Sequence, residues 1–147
     1  MDPRMNPQGT GQMADPIAGS GLKQLRFRAT IAQVNAGVTL LAAKKGFKYR
    51  VVDAALIAVG GAVTAATDVR VLGTRAGSSV ALLVAAVAAL TQSALLRAGA
   101  ANAVILADGA SFTALDDNTA VTLGKTGGTA ATATHVDVIL TYAVDKS

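Results

Sequence analysis

His135-Val136-Asp137-Val138-Ile139-Leu140-Thr141-Tyr142-Ala143-Val144 repeats with a period of two. Val136, Val138, Leu140, Tyr142 and Val144 share one side, while His135, Asp137, Ile139, Thr141 and Ala143 share the other. That is the pattern of a strand, whose successive side chains point to opposite faces of a sheet. Further out, the same alternation occurs twice more. Leu25, Phe27, Ala29 and Ile31 alternate with Arg26, Arg28 and Thr30, and Phe47, Tyr49 and Val51 alternate with Lys48 and Arg50. Shorter strands fit residues 38–42, 68–72, 104–106 and 120–123, with turn residues at Asn35-Ala36-Gly37, Lys44-Lys45-Gly46, Gly60-Gly61 and Asp108-Gly109. Short strands separated by such turns predict an all-β fold, an antiparallel β-sandwich.

Residues 78–99 pull two ways. Their Ala and Leu content, with Ser78 before and Gly99 after, favours a helix on intrinsic propensity. Their setting favours a strand, because a strand buried on both faces also reads as an unbroken apolar run. The setting decides: a strand is expected over 79–87, then a helical turn or irregular loop over 89–98. The uncharged run from Val80 to Leu90 is apolar on both parities, whereas one sandwich core covers only one face of a strand. Leu82, Leu83, Val84 and Val87 are therefore expected to cover a neighbouring subunit. At 11 residues the run is well short of the roughly 20 that a membrane-spanning helix needs.

Ahead of the strands, composition changes. All three Pro and all three Met lie within residues 1–22, where no apolar period is present. This predicts an extended N-terminal arm over 1–22 followed by a sandwich domain over 23–147. Two readings of the arm stay open: a disordered tail, or a segment that becomes ordered across a neighbour or partner, with Met5 and Met13 as adaptable apolar contacts beside Arg4. No apolar stretch follows a basic start as in a secretory signal, so the protein is expected to stay in the compartment where it is made.

The 147 residues suffice for one domain, and 52% hydrophobic against 15% charged residues can fill a core. There is no Cys and a single His, and every acidic residue is Asp. Disulfides, thiol nucleophiles and multi-histidine metal sites are thereby excluded. The remaining chemistry-bearing candidates have plainer readings. Gly124-Lys125-Thr126 resembles the end of a phosphate-binding loop, but position 119, where that motif needs Gly, is Thr; a Gly-rich hairpin loop explains it. Asp116-Asp117-Asn118 lacks the alternating spacing and central Gly of a calcium loop, and Asp and Asn cap turns with their side chains. His135 and Asp137 share a strand face without an identifiable nucleophile. Asp53 falls on the parity of Phe47, Tyr49 and Val51, so either a bulge turns it outward or it pairs with an Arg across an interface. No catalytic residue, metal site or cofactor is expected.

Charge is uneven along the chain: residues 1–97 carry net +7 and residues 98–147 net −3. Lys23, Arg26 and Arg28, with Lys44, Lys45, Lys48 and Arg50, form a basic set suited to an acidic surface. Aromatic residues are only 3% of the chain, too few for the stacking platforms of single-strand nucleic-acid binders. A protein partner is the expectation.

Three stretches also carry a family resemblance. They are Val38-Thr39-Leu40-Leu41-Ala42-Ala43-Lys44-Lys45-Gly46-Phe47-Lys48-Tyr49-Arg50-Val51-Val52-Asp53-Ala54, Thr67-Asp68-Val69-Arg70-Val71, and Thr134-His135 through Val144. The pattern, over roughly residues 25–144, resembles small tailed-bacteriophage virion proteins of the head-decoration or cement type. The resemblance implies a jelly-roll-like antiparallel β-sandwich, a homotrimer, no catalytic residues, and attachment to the major capsid protein at threefold positions of a capsid surface. Arg4, Met5, Met13, Lys23, Arg26 and Arg28 are the expected capsid contacts, and Leu82, Leu83, Val84 and Val87 the expected trimer contacts. A phage tail, baseplate or host-surface-binding protein is the alternative. Membrane association is not expected.

Overall fold

The computed structural model describes residues 21–99, 103–104 and 113–147. Its elements are β1 (Lys23–Thr30), α1 (Ile31–Ala36), β2 (Val38–Leu41), β3 (Phe47–Val59), β4 (Val63–Arg75), β5 (Ser78–Ala86), a 3-10 turn (Val87–Ala89), β6 (Leu95–Arg97), β7 (Ala103–Val104), β8 (Val121–Thr132) and β9 (His135–Lys146). Two antiparallel sheets result, in the orders β1-β9-β3-β6 and β2-β8-β4-β5-β7. The all-β sandwich expected from the alternation is the fold. Its pairings are nested: β1 lies beside β9, β2 beside β8, β3 beside β6 and β4 beside β5.

The decisive alternation holds in space. Val136, Val138 and Leu140 of β9 are fully buried, together with Leu56 of β3, Val69 and Val71 of β4, and Val121 and Leu123 of β8. They belong to one core cluster between the sheets.

Two bulges change the parity where strict alternation misleads. Thr141 pairs with Asp53 and Tyr142 with Val51, so Val52 is an extra residue without a cross-strand partner. Val51 therefore stays in the core at 4% exposure, while Asp53 turns to the outer face, the first of the two outcomes its parity allowed. On β5, Val71 pairs with Leu83 and Leu72 with Ala81, leaving Leu82 unmatched. A bulge puts two residues of one strand opposite one of the other. Here it lets Leu82 and Leu83 both reach the core, at 2% and 0% exposure. These two residues are therefore not subunit contacts: the apolar run of double parity is absorbed by the chain's own sandwich.

Three boundaries also differ from expectation. Residues 31–36 form a helix, capped by Thr30, whose hydroxyl accepts from the Gln33 N–H at 3.2 Å while the Gln33 side chain accepts from the Thr30 N–H at 2.9 Å. The Gly-rich residues 124–128 are no hairpin loop but part of β8. Gly is required there: a Cβ on Gly128 would run into the Ala65 carbonyl oxygen, and Ala65 itself bulges with φ +69°. Within 78–99, the strand ends at Ala86, and the expected irregular stretch contains the short β6. Residues 1–20, most of the expected arm, and Asp108-Gly109 lie outside the described residues.

Candidate interaction surfaces

The outer face of the first sheet collects charge into pairs. Register sets Arg28, Asp137, Ile57 and Leu95 in one row across β1, β9, β3 and β6, and Arg26, Ile139, Ala55 and Arg97 in the next. Arg28 donates from Nε and Nη2 to the two Asp137 carboxylate oxygens at 2.7 and 2.8 Å. Arg97 Nη2 donates to Asp53 Oδ2 at 2.6 Å, so the Arg partner anticipated for Asp53 comes from the same chain. Beside the Arg28–Asp137 pair lies a shallow depression of about 210 Å³, bordered by Arg26 and Arg28 and lined by Ile57 and Ile139. Leu95, beside it in the register, is 52% exposed.

Of the expected capsid contacts, Lys23, Arg26 and Arg28 all project from β1, an edge strand, and all are exposed. Arg28 is committed to Asp137, whereas Arg26 has no carboxylate within ion-pair distance among the described residues. Arg4, Met5 and Met13 lie outside the described residues.

The outer face of the second sheet is built from small side chains around one polar cluster. Asp68 is 7% exposed; it accepts from Arg70 Nε at 2.7 Å, Arg70 Nη2 at 3.0 Å and Thr126 Oγ1 at 2.8 Å. Arg70 pairs in register with Val84 on one side and Gly124 on the other. Of the four expected trimer residues, Val84 is the one on this outer face. Val87 is half-buried and packs against the core.

The remaining candidates resolve into structural roles. Asp116 accepts from the N–H groups of Ala76 and Gly77 at 2.9 and 2.8 Å, closing the distant β4–β5 turn, while residues 117–118 form the local turn that was expected. His135 and Asp137 share the outer face but do not bond: His135 Nδ1 lies 3.0 Å from Thr134 Oγ1, and the Asp137 carboxylate is taken by Arg28. Among the described residues, no group of three His, Cys, Asp or Glu side chains could hold a metal ion, and no helix is long and apolar enough to cross a membrane.

Among the described residues, three carboxylates lie below their ordinary pKa of 3.8. Asp68 is lowered chiefly by the Arg70 hydrogen bonds, against the opposing effect of burial; Asp137 is lowered chiefly by the Arg28 hydrogen bonds, and Asp116 by the two backbone N–H groups. A carboxylate with a depressed folded-state pKa contributes stability above its unfolded value, and that contribution disappears as pH falls through the folded value. The melting temperature should therefore hold nearly level from pH 8 to about 5 and fall below about pH 4. Asp68→Asn should lower it at neutral pH and flatten the acid limb. Thermal melts across pH check this, and a melting temperature that rises from pH 5 to pH 3 would contradict it.

No family model, curated protein or solved structure matches this chain.

Proposed function

We propose that this chain is a non-enzymatic structural protein of a tailed-bacteriophage virion, one that decorates the capsid surface and stabilises it by bridging capsomers as a homotrimer. The observation that carries the reading is the strand order. Rolling up a single long antiparallel hairpin pairs its first strand with its last, its second with the next to last, and so inward. The orders β1-β9-β3-β6 and β2-β8-β4-β5 contain each of those pairs, with β7 added at one edge. This supports a jelly roll, an architecture found in viral capsid proteins. Fold alone does not give function, and two further features support a protein-binding role. The sequence resembles decoration proteins over residues 25–144, and the first sheet presents Leu95 and the Ile57–Ile139 depression beside the neutralised Arg28–Asp137 pair and, among the described residues, the unpaired Arg26.

In this reading the partner is the major capsid protein, and the trimer contact involves the outer face of the second sheet around Val84. The test is to titrate undecorated heads of the encoding phage with purified protein, measuring occupancy and the temperature at which DNA is released. Occupancy should reach a plateau and release should move to higher temperature, because removing a capsomer then also breaks its contacts to the bridging protein. Binding without a plateau, or a plateau without stabilisation, would favour the tail, baseplate or host-binding reading.

A further inference from the structure

The sandwich has two chemically opposite ends. One end gathers α1, the β3–β4 turn, residues 87–94 and the β8–β9 turn, tied together by Ile31 N–H to Thr134 O, Thr134 N–H to Val59 O, Val63 N–H to Leu90 O and Ser93 N–H to Ala58 O. The segments that build it, residues 29–38, 54–67, 84–96 and 126–136, contain no Asp, Glu, Lys or Arg. The other end gathers the start of β1, the β2–β3 loop, the start of β3, residues 113–119 and the end of β9. Ser147 N–H donates to Gly46 O and Asn118 N–H to Phe47 O, while Lys146 pairs with Phe47, Asp145 with Lys48 and Tyr142 with Lys23. Seven cations stand there: Lys23, Lys44, Lys45, Lys48 and Lys146, with Arg50 and Arg75. Among the described residues, three Asp side chains accompany them, and each is engaged. Asp145 takes Arg50 at 2.8 Å, Asp116 takes the two backbone N–H groups, and Asp117 accepts from Ser147 Oγ at 2.7 Å. Among the described residues, none of the five lysines has a carboxylate within ion-pair distance.

We propose that this lysine-bearing end is a docking surface for an acidic protein surface, and that the charge-free end faces away from it. Five of the six lysines sit at one pole of the molecule, whereas Arg28–Asp137, Arg97–Asp53 and Arg70–Asp68 are internally neutral. A field so placed turns the molecule during approach, which is how charge complementarity raises association rate and fixes orientation. The same end holds Phe47, Tyr49 and Tyr142, the type of rigid contact area that anchors protein interfaces. These rings are poor platforms for nucleic-acid bases. Lys44 Nζ lies 4.6 Å over the Phe47 ring, Tyr49 and Tyr142 pack edge to face at 5.9 Å, and the Tyr49 hydroxyl donates to Ala42 O at 2.6 Å. In identifying the acidic surface as the shell of a capsid, the inference rests on the decoration reading; the docking end itself does not.

The experiment uses the full chain and labelled poly-L-glutamate, read by fluorescence anisotropy at low and high salt. The Lys45→Ala/Lys48→Ala/Lys146→Ala protein should bind at least about tenfold more weakly than wild type. A control, Ala32→Asp/Lys125→Ala/Thr129→Asp, lowers net charge by the same amount elsewhere and should change binding less than about twofold. Thermal melts establish that both variants fold. Equal losses in the two variants would overturn the proposal, since net charge alone would then explain binding. Tighter, lysine-dependent binding of a 30-base-pair DNA duplex would overturn it in favour of a nucleic-acid surface. Failure to decorate heads with polyglutamate binding intact would remove the decoration reading and leave the docking end standing.

Discussion

Leu83→Arg should abolish folding, not merely assembly. Leu83 is fully buried and, with Leu82 beside it, belongs to the core between the sheets. An Arg there places an unpaired charge among apolar side chains and overpacks them, a combination in the exceptional class of substitutions that cost more than about 4–5 kcal/mol. Domains of this size are typically stable by only about 5–15 kcal/mol, so a cost above that figure removes a large part of the margin, and all of it at the lower end of the range. The expected result is insoluble protein, or soluble protein without a cooperative melt. Val84→Arg, one residue along and on the outer face, should shift the melting temperature by only a few degrees. A Leu83→Arg protein that melts like wild type would mean that the β5 bulge does not hold Leu83 in the core.

The contrast between Leu83 and Val84 also marks how far the sequence could be read. Period-two alternation identifies the strands and the inward face of β9 correctly, because burial of one face is what selects those residues. It cannot locate a bulge, which depends on the partner strand. The unbroken run from Val80 to Leu90 suggested a second face covered by a neighbour; the extra residue at Leu82 instead turns two consecutive leucines inward. Asp53 was the opposite case. A charge on the apolar parity left two outcomes open, a bulge or an Arg partner across an interface; the bulge is present at Val52, and the Arg partner, Arg97, comes from the same chain.

Other misreadings have local causes. Thr30-Ile31-Ala32-Gln33 carries the spacing of a capping box, a legible helix signal that the alternation through Ile31 masked. The glycines at 124–128 looked like a loop because Gly normally interrupts a strand; here it admits the close approach of Ala65. For the surfaces, residue types were legible and partners were not. Arg28 and Asp137 are 109 positions apart, and only the β1–β9 register makes them a pair. Once Arg28, Arg50, Arg70 and Arg97 are set against carboxylates, the apparent spread of positive charge over the first two thirds of the chain contracts largely to the lysines at one end, with Arg26 left on the face of the first sheet.

If the decoration reading holds, breaking the trimer should weaken head binding far more than any single contact can account for. A trimer on a threefold site presents three equivalent patches to three equivalent partners. After the first engages, the second and third bind at an effective concentration of order millimolar, which raises overall affinity by roughly 10²–10⁴ without any new contact. Val84→Arg places a long cation on the outer face of the second sheet next to Arg70, with which Val84 is in register. Three such positions brought together would repel one another. Light scattering should give a trimer for wild type and a monomer for Val84→Arg, and the monomer should bind heads about 10²–10⁴-fold more weakly while melting nearly as wild type does. A Val84→Arg protein that remains trimeric would move the subunit contact away from this face. A wild-type monomer that still saturates heads would remove the trimer itself, leaving the lysine-bearing end to act through one contact at a time.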